Sequence, residues 1–263
     1  MNQPLAYVHP QAKIADNVVI EPFVTIHKNV EIGEGTWIGS NATIMEGARI
    51  GKNNKIFPGA VISAIPQDLK YKGEETFVRI GDNNIIREFA TINRGTKANN
   101  ETVIGSNNLI MAYVHLAHDC IVNDNCILAN NVALAGHIEI KSWAIIGGQV
   151  AVHQFVNIGA HSFISGGTLV RKDVPPYTKA AREPISYSGI NSIGLRRRGF
   201  TTDQINQIQD IYRHIYLRHM NVSQAVEYIE AETPATPERD EILDFVNKSS
   251  RGIMRGPVRK NNS

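Results

Sequence analysis

The chain has 263 residues, with 27 basic and 25 acidic side chains and a formal net charge of +2. That balance leaves no electrostatic footprint for nucleic acid. No apolar run reaches the length of a membrane span and the N-terminal residues lack the apolar stretch of a secretion signal, so the expectation is a soluble, cytoplasmic protein with no stable membrane insertion.

From Val8 onward an aliphatic residue recurs every sixth position: Val8, Ile14, Ile20, Ile26, Ile32, Ile38, Ile44, Ile50, Ile56 and Ile62. The same phase resumes at Ile80, Ile86 and Ile92 and runs from Ile104 to Val170; its exceptions are Asp68, Glu74 and Ala98. A helix repeats apolar residues every 3.6 positions and a flat strand every second one. A period of six marks a parallel β-helix, in which each hexad supplies a short strand and a corner and three hexads close a triangular coil. Four residues after each aliphatic comes a small or β-branched side chain, among them Val18, Ala42, Ala48, Val114, Cys120, Cys126 and Ser162. Stacked at about 4.8 Å, some nine coils give a prism roughly 45 Å long. Burial of its aliphatic interior supplies most of the stability. Cys120 and Cys126 fall in the small inward register, which makes them packing thiols rather than nucleophiles.

Two stretches interrupt the coil without losing its phase: "SAIPQDLKYKGEETFVR", residues 63–79, and "NRGTKANNETV", residues 93–103. Both read as loops projecting from an intact prism, the usual place for functional residues. After Val170 the pattern gives way to a Pro- and Gly-rich crossing segment, then to helices. Thr201 with Gln204 forms a capping box, followed by an apolar stripe of Ile205, Ile208, Ile211, Tyr212 and Ile215. Further helices are expected over 222–231 and 237–249, the latter with Pro237 in its first turn, and the tail "RGPVRKNNS" reads as frayed. The division is thus a β-helix over 1–184 and a small helical domain over 185–263 that covers one open end of the coil.

Five histidines lie within residues 115–161: His115, His118, His137, His153 and His161. None takes an inward slot, so they belong to corners and outer faces. Residues 18 apart stack in neighbouring coils, which puts His118, Gly136 and Gln154 in one column and Asp119, His137 and Phe155 beside it. An imidazole, a carboxylate and a backbone N–H brought together in this way are the parts for general-base catalysis with an oxyanion hole.

The prism with "HLAHDCIVNDNCILANNVALAGHIEI", "IPQDLKYKGE" and "GLRRRGF" closely resembles the bacterial UDP-N-acetylglucosamine acyltransferases over essentially the whole chain. The resemblance implies a mainly β fold, a left-handed parallel β-helix with a small C-terminal α-helical domain, assembled as a homotrimer with active sites between prisms. It implies transfer of an (R)-3-hydroxyacyl group from acyl carrier protein to the 3-hydroxyl of UDP-N-acetylglucosamine, the first step of lipid A synthesis. No cofactor and no metal are expected, since the acyl group arrives on the carrier's phosphopantetheine. It implies His118 as general base, Asp119 as the carboxylate that orients it and Gly136 as the oxyanion donor. His115, His137, His153 and Gln154 match substrate contacts, and Gln67, Asp68 and Lys70 match the loop that reaches the sugar nucleotide. Asn191, Arg197 and Arg198 match the region that holds the nucleotide and its phosphates, although Ile193 stands where that family more often carries an acid. The small residues of the Ala112, Asn130, Gly148 and Gly166 column leave room for an acyl groove, with Gly166 as a chain-length determinant and Phe163 as a candidate end-stop. The same prism carries a zinc-dependent carbonic anhydrase class, for which His115, His118 and His137 would be the ligands; that class spaces two histidines five apart, whereas His115 and His118 are three apart.

Overall fold

The computed structural model describes residues 4–218 and 220–257; the last six residues of the expected frayed tail lie outside them. Three sheets of short strands, of nine, eight and ten, wrap into a triangular prism, and every pairing is parallel except that of the last two strands in the chain. The six-residue ladder is its interior. Val8, Ile26, Ile44, Ile62, Ile92, Leu116, Leu134, Val152 and Val170 are successive partners across one sheet. All of them but Val8, at the first coil, are buried.

The register explains why the interruptions preserve phase. Ile62 pairs with Ile92 and Ile92 with Leu116, steps of 30 and 24 residues where an ordinary coil takes 18. The insertions are therefore two hexads and one hexad long, and every side chain after them keeps its face. Both loops are shorter than the sequence suggests. Strands Val61–Ala64 and Phe77–Ile80 absorb the ends of the first, and Thr91–Asn93 and Glu101–Ile104 those of the second. Their roots pair with each other, Phe77 with Glu101 and Val78 with Thr102, which extends the sheet outward under the loops.

The second inward register holds more than small apolar residues. Asn54, Asn84 and Asn108 occupy it in successive coils and are buried. The Asn84 and Asn108 backbone N–H groups donate to the Oδ1 of the asparagine before them, each at 2.9 Å, and Cys126 N–H closes the ladder on Asn108 Oδ1 at 2.7 Å. Asn54 and Asn84 also donate Nδ2 to the Gly81 and Gly105 carbonyls. These amides satisfy backbone groups that the corners would leave unpaired in the core, each bond giving about 1 kcal/mol net.

The crossing segment is more ordered than its composition suggests. Strand Thr178–Ala181 continues one face of the prism and turns back in antiparallel pairing with Ser186–Ile190, so residues 184 and 185 lie in the turn of a hairpin. Helices α1 (Ser192–Arg197), α2 (Thr202–Leu217), α3 (Val222–Glu232) and α4 (Pro237–Lys248) follow. The Thr201–Gln204 capping box is present, and Asn221–Gln224 forms a second. The five stripe residues of α2 are all buried, Tyr212 donating its hydroxyl to the Pro176 carbonyl at 2.6 Å. Short α1 was not legible in the sequence. It is set by Asn191, whose side chain caps Gly194 N–H. Arg255, within the stretch expected to fray, is held by Tyr187 N–H on its carbonyl.

Candidate active site

His118 and Asp119 form one corner of the prism, between strands His115–Leu116 and Ile121–Val122. Asp119 takes the left-handed backbone conformation, φ 60°, as the second corner residue does in most coils; Asp is one of the few residues that tolerate it. Its N–H donates to Thr102 Oγ1 at 2.9 Å. Its carboxylate is 1% exposed yet fully partnered. Oδ1 accepts from Thr96 N–H at 3.0 Å and Asn99 N–H at 3.3 Å, and Oδ2 accepts from Thr96 Oγ1 at 2.6 Å and His118 Nδ1 at 2.7 Å. Burial pushes this carboxyl up, but the hydrogen bonds from Thr96 and His118 outweigh it and hold the pKa below the usual value. An ionised carboxylate only accepts, so His118 carries its proton on Nδ1 and leaves Nε2 as the basic nitrogen.

The stacked columns expected from an 18-residue coil are present. Gly136 lies against the His118 ring, and its N–H has no acceptor among the described residues. His137 stacks on Phe155 at 4.7 Å between ring centres and meets His118 edge-on at 5.2 Å. Its Nε2 is 3.6 Å from Asp119 Oδ2. Burial lowers the His137 pKa, with the Asp119 charge opposing. His115 bonds Thr91 Oγ1 through Nδ1 at 2.8 Å, and burial lowers its pKa as well. His153 is exposed and donates Nδ1–H to the Gln154 carbonyl at 3.1 Å.

The first loop reaches this corner. Asn93 Nδ2 donates to the Ile65 carbonyl at 2.8 Å and pins the loop's start. Asp68 Oδ1 accepts Lys70 N–H at 2.9 Å, closing a turn, and Asp68 Oδ2 comes to 4.0 Å from His118 Nε2. Gln67 and Lys70 stand exposed beside it.

Other expected site residues lie elsewhere. Asn191 is 7% exposed and donates Nδ2 to the His161 carbonyl at 2.9 Å, so both ends of its amide hold α1 to the prism. Arg198 sits over the Trp143 ring at 5.2 Å and meets His161 Nδ1 at 3.3 Å. Arg197 and Ile193 are exposed. His161 stacks between Trp143 and Tyr177, and burial first, then Arg198, lowers its pKa to about 4. This cluster belongs to the next corner of the triangle. Gly148 and Gly166 belong to the third, where a Cβ on Gly166 would stand 3.0 Å from the Gly148 carbonyl oxygen. Corners are one hexad apart, at most about 20 Å of strand, and no side chain spans that. A single prism brings together His118, Asp119, Gly136, His137 and Asp68, and leaves the Asn191–Arg198 and Gly166 groups on separate edges.

Sequence reasoning missed Thr96, Asn99 and Thr102. They sit in the second insertion, whose only signal was that a loop of one hexad departs from the coil and returns beside His118.

His118, Asp119 and His137 are also a group that could hold a metal ion, their ligand atoms lying within 4.8 Å of one another. The Nδ1–Oδ2 distance of 2.7 Å and the Thr96 hydroxyl on the same oxygen are those of a hydrogen-bonded pair. For a shared ion, Asp119 would have to give up that partner.

The hexapeptide period of the prism has its counterpart among bacterial transferases: a profile described as bacterial transferase hexapeptide (six repeats) matches residues 101–136, the stretch that carries the His118 corner. A second profile, the GMPPB C-terminal domain, matches residues 2–64, and a third, Udp N-acetylglucosamine O-acyltransferase, domain 2, matches residues 173–254. The acyl-[acyl-carrier-protein]–UDP-N-acetylglucosamine O-acyltransferase of Thiobacillus denitrificans is 44% identical over 253 residues, 96% of this chain and 98% of that protein. The crystal structure of the UDP-N-acetylglucosamine acyltransferase of Bacteroides fragilis shares 55% identity at a TM-score of 0.96, covering 97% of this chain and 100% of that one. The Francisella novicida enzyme shares 45% at 0.95, covering 98% and 95%. The chain belongs to the acyl-[acyl-carrier-protein]–UDP-N-acetylglucosamine O-acyltransferase family.

Proposed function

We propose that this protein transfers an (R)-3-hydroxyacyl group from acyl carrier protein to the 3-hydroxyl of UDP-N-acetylglucosamine, as the first step of lipid A synthesis in the cytoplasm. The observation that carries the mechanism is the His118–Asp119 pair, 2.7 Å from Nδ1 to Oδ2, with Nε2 left basic and Gly136 N–H open beside it. His118 Nε2 takes the proton of the sugar 3-hydroxyl as that oxygen attacks the thioester carbonyl. Gly136 N–H donates to the oxyanion of the tetrahedral intermediate. On collapse the C–S bond breaks and the thiolate takes the proton back from Nε2, releasing the O-acyl sugar nucleotide and the carrier thiol. Asp119 stays ionised and keeps the imidazole in the productive tautomer. Asp68, with Gln67 and Lys70 exposed beside it, would bind the sugar where its carboxylate already faces Nε2.

The working unit in this reading is a homotrimer. Arg197, Arg198 and Asn191 on one edge and Gly166 on another join the His118 corner only if neighbouring prisms complete the cleft. His115, His137, His153 and Gln154 line its wall. No helix among the described residues is long and apolar enough to cross a membrane.

The test is an acyl-transfer assay with purified acyl carrier protein thioester. His118→Ala should lose about 10²–10⁴ in kcat while sedimenting as the wild type does, and Asp119→Asn should lose less, since the base remains. Full turnover by His118→Ala would refute the mechanism. Zinc added to chelator-treated enzyme separates the metal reading, which requires activity to return with the ion.

A further inference from the structure

None of the expected substrate contacts lies in the second inserted loop, yet it supplies three of the four hydrogen bonds to the Asp119 carboxylate. We propose that Thr96 is a positioning residue of the reaction: its hydroxyl and backbone N–H clamp the two oxygens of Asp119 so that one lone pair is left, aimed at His118 Nδ1. The inference rests on the base role proposed for His118 and deepens it.

A carboxylate offers about four acceptor sites, and here each has one donor. Oδ1 is filled by two backbone N–H groups, of Thr96 and Asn99, and Oδ2 by Thr96 Oγ1 and His118 Nδ1. With both oxygens engaged, rotation of the carboxylate would break several bonds at once in a site that water does not reach. Thr96 is itself held. It is 9% exposed, its Oγ1 accepts Ala98 N–H at 3.3 Å, and its carbonyl accepts Asn100 N–H at 2.7 Å in a tight turn. The turn is seated by Gly95, whose N–H donates to the Phe77 carbonyl at 3.1 Å. A Cβ on Gly95 would lie 2.3 Å from Glu101 N, so only glycine lets the loop close back on the sheet there. The insertion of one hexad is then explained by its product: an extra turn that presents a hydroxyl and two N–H groups to one carboxylate while every later coil stays in phase.

The hydroxyl matters because Oδ2 is shared. Thr96 Oγ1 and His118 Nδ1 donate to the same oxygen, so the hydroxyl takes one of its two acceptor sites and leaves the other to the imidazole, which meets it through Nδ1–H. Without the hydroxyl, Asp119 keeps its two backbone N–H donors on Oδ1 but Oδ2 is held by His118 alone, so the carboxylate turns more easily about Cβ–Cγ and the imidazole loses its fixed direction.

The test compares Thr96→Val, which keeps the shape and the N–H but removes the hydroxyl, with Thr96→Ser, which keeps the donor. Thr96→Val should lower kcat about ten- to hundredfold, the rate equivalent of one hydrogen bond to a charged group, with KM for UDP-N-acetylglucosamine within about twofold. Thr96→Ser should stay within about threefold of wild type. In an Asp119→Asn background, Thr96→Val should cost nothing further, because the oxygen it serves is no longer a carboxylate; additive losses would overturn the proposal by making Thr96 an ordinary structural residue. Independently of turnover, 15N NMR of the His118 imidazole should show the Nδ1–H tautomer in wild type and Thr96→Ser and a mixture in Thr96→Val. An unchanged tautomer in Thr96→Val would likewise overturn it. A His118→Ala enzyme that remains active would instead remove the base role and leave the tautomer result standing.

Discussion

The imidazole of His118 rests on the Cα of Gly136 in the next coil, so closely that a methyl group built there would stand 2.6 Å from Cε1 and 2.8 Å from Nε2. The absence of a side chain at 136 is what lets the base lie flat across the corner with its Nε2 beside an open N–H. Gly136 is not among the residues with positive φ, so alanine there meets no backbone strain, only the ring. Gly136→Ala should therefore fold with a melting temperature close to wild type and lose about 10²-fold in kcat, the order expected for a displacement near 1 Å. A fully active Gly136→Ala enzyme would mean that the ring need not lie where it does.

Direct transfer without an acyl-enzyme makes a second prediction. Cys120 and Cys126 are fully buried, and burial pushes both thiols up to about 12. Thiolate is the nucleophilic form, so neither can act near neutral pH. The double Cys→Ala variant should keep its turnover and lose about 1–3 kcal/mol of stability through the small cavities left behind. Mass spectrometry of enzyme quenched during turnover should find no acylated cysteine.

The acyl groove makes a third. Gly148 and Gly166 stack at one corner, and a side chain on Gly166 would rise from within 3.0 Å of the Gly148 carbonyl into the space above the column. If the acyl chain lies there, each methylene it loses removes about 0.8 kcal/mol of binding. Gly166→Met should shift preference toward shorter 3-hydroxyacyl donors with little change in KM for the sugar nucleotide. An unchanged profile across a donor series would place the groove elsewhere.

His161 gives a pH dependence with a definite sign. Its folded-state pKa lies near 4, below the ordinary 6.5, because it is buried between Trp143 and Tyr177 and faces Arg198. The unfolded chain therefore binds more protons between these values. The stability that depends on neutral His161 is complete above pH 6.5 and is lost as the pH falls toward 4. Melting temperatures taken down this range should drop less steeply for His161→Phe, which keeps the ring stack and cannot ionise. Equal slopes for the two proteins would show that other groups govern acid unfolding.

The prism was legible from one chain because each hexad repeats a local rule: an aliphatic residue inward, a small one inward, and a corner. Ile26, Ile44 and Ile62 report the same environment in turn, and the period survives both insertions because these are whole hexads. The column of His118, Gly136 and Gln154 followed from the same arithmetic, since stacking at 18 residues is part of the repeat. The helical stripe from Ile205 to Ile215 was legible for a similar reason, as one face of a helix buried at a regular spacing.

What only the tertiary structure decided are contacts between segments that no period relates. Thr96 and Asn99 reach Asp119, 23 and 20 residues away, through a loop outside the repeat. Asp68 reaches His118 through another. Asn191, which in the sequence looks free to bind a ligand, has both atoms of its amide committed to α1 and the His161 carbonyl, and Arg198 lies over Trp143 with one guanidinium nitrogen on His161. The asparagine ladder stayed hidden because Asn54, Asn84 and Asn108 are polar residues in a buried slot, and only the pairing of each amide with the coil beneath makes that burial affordable. Periodicity sets which face a side chain takes; where two loops meet is set by closure of the chain in space, and the fit around the Asp119 carboxylate belongs to that second class.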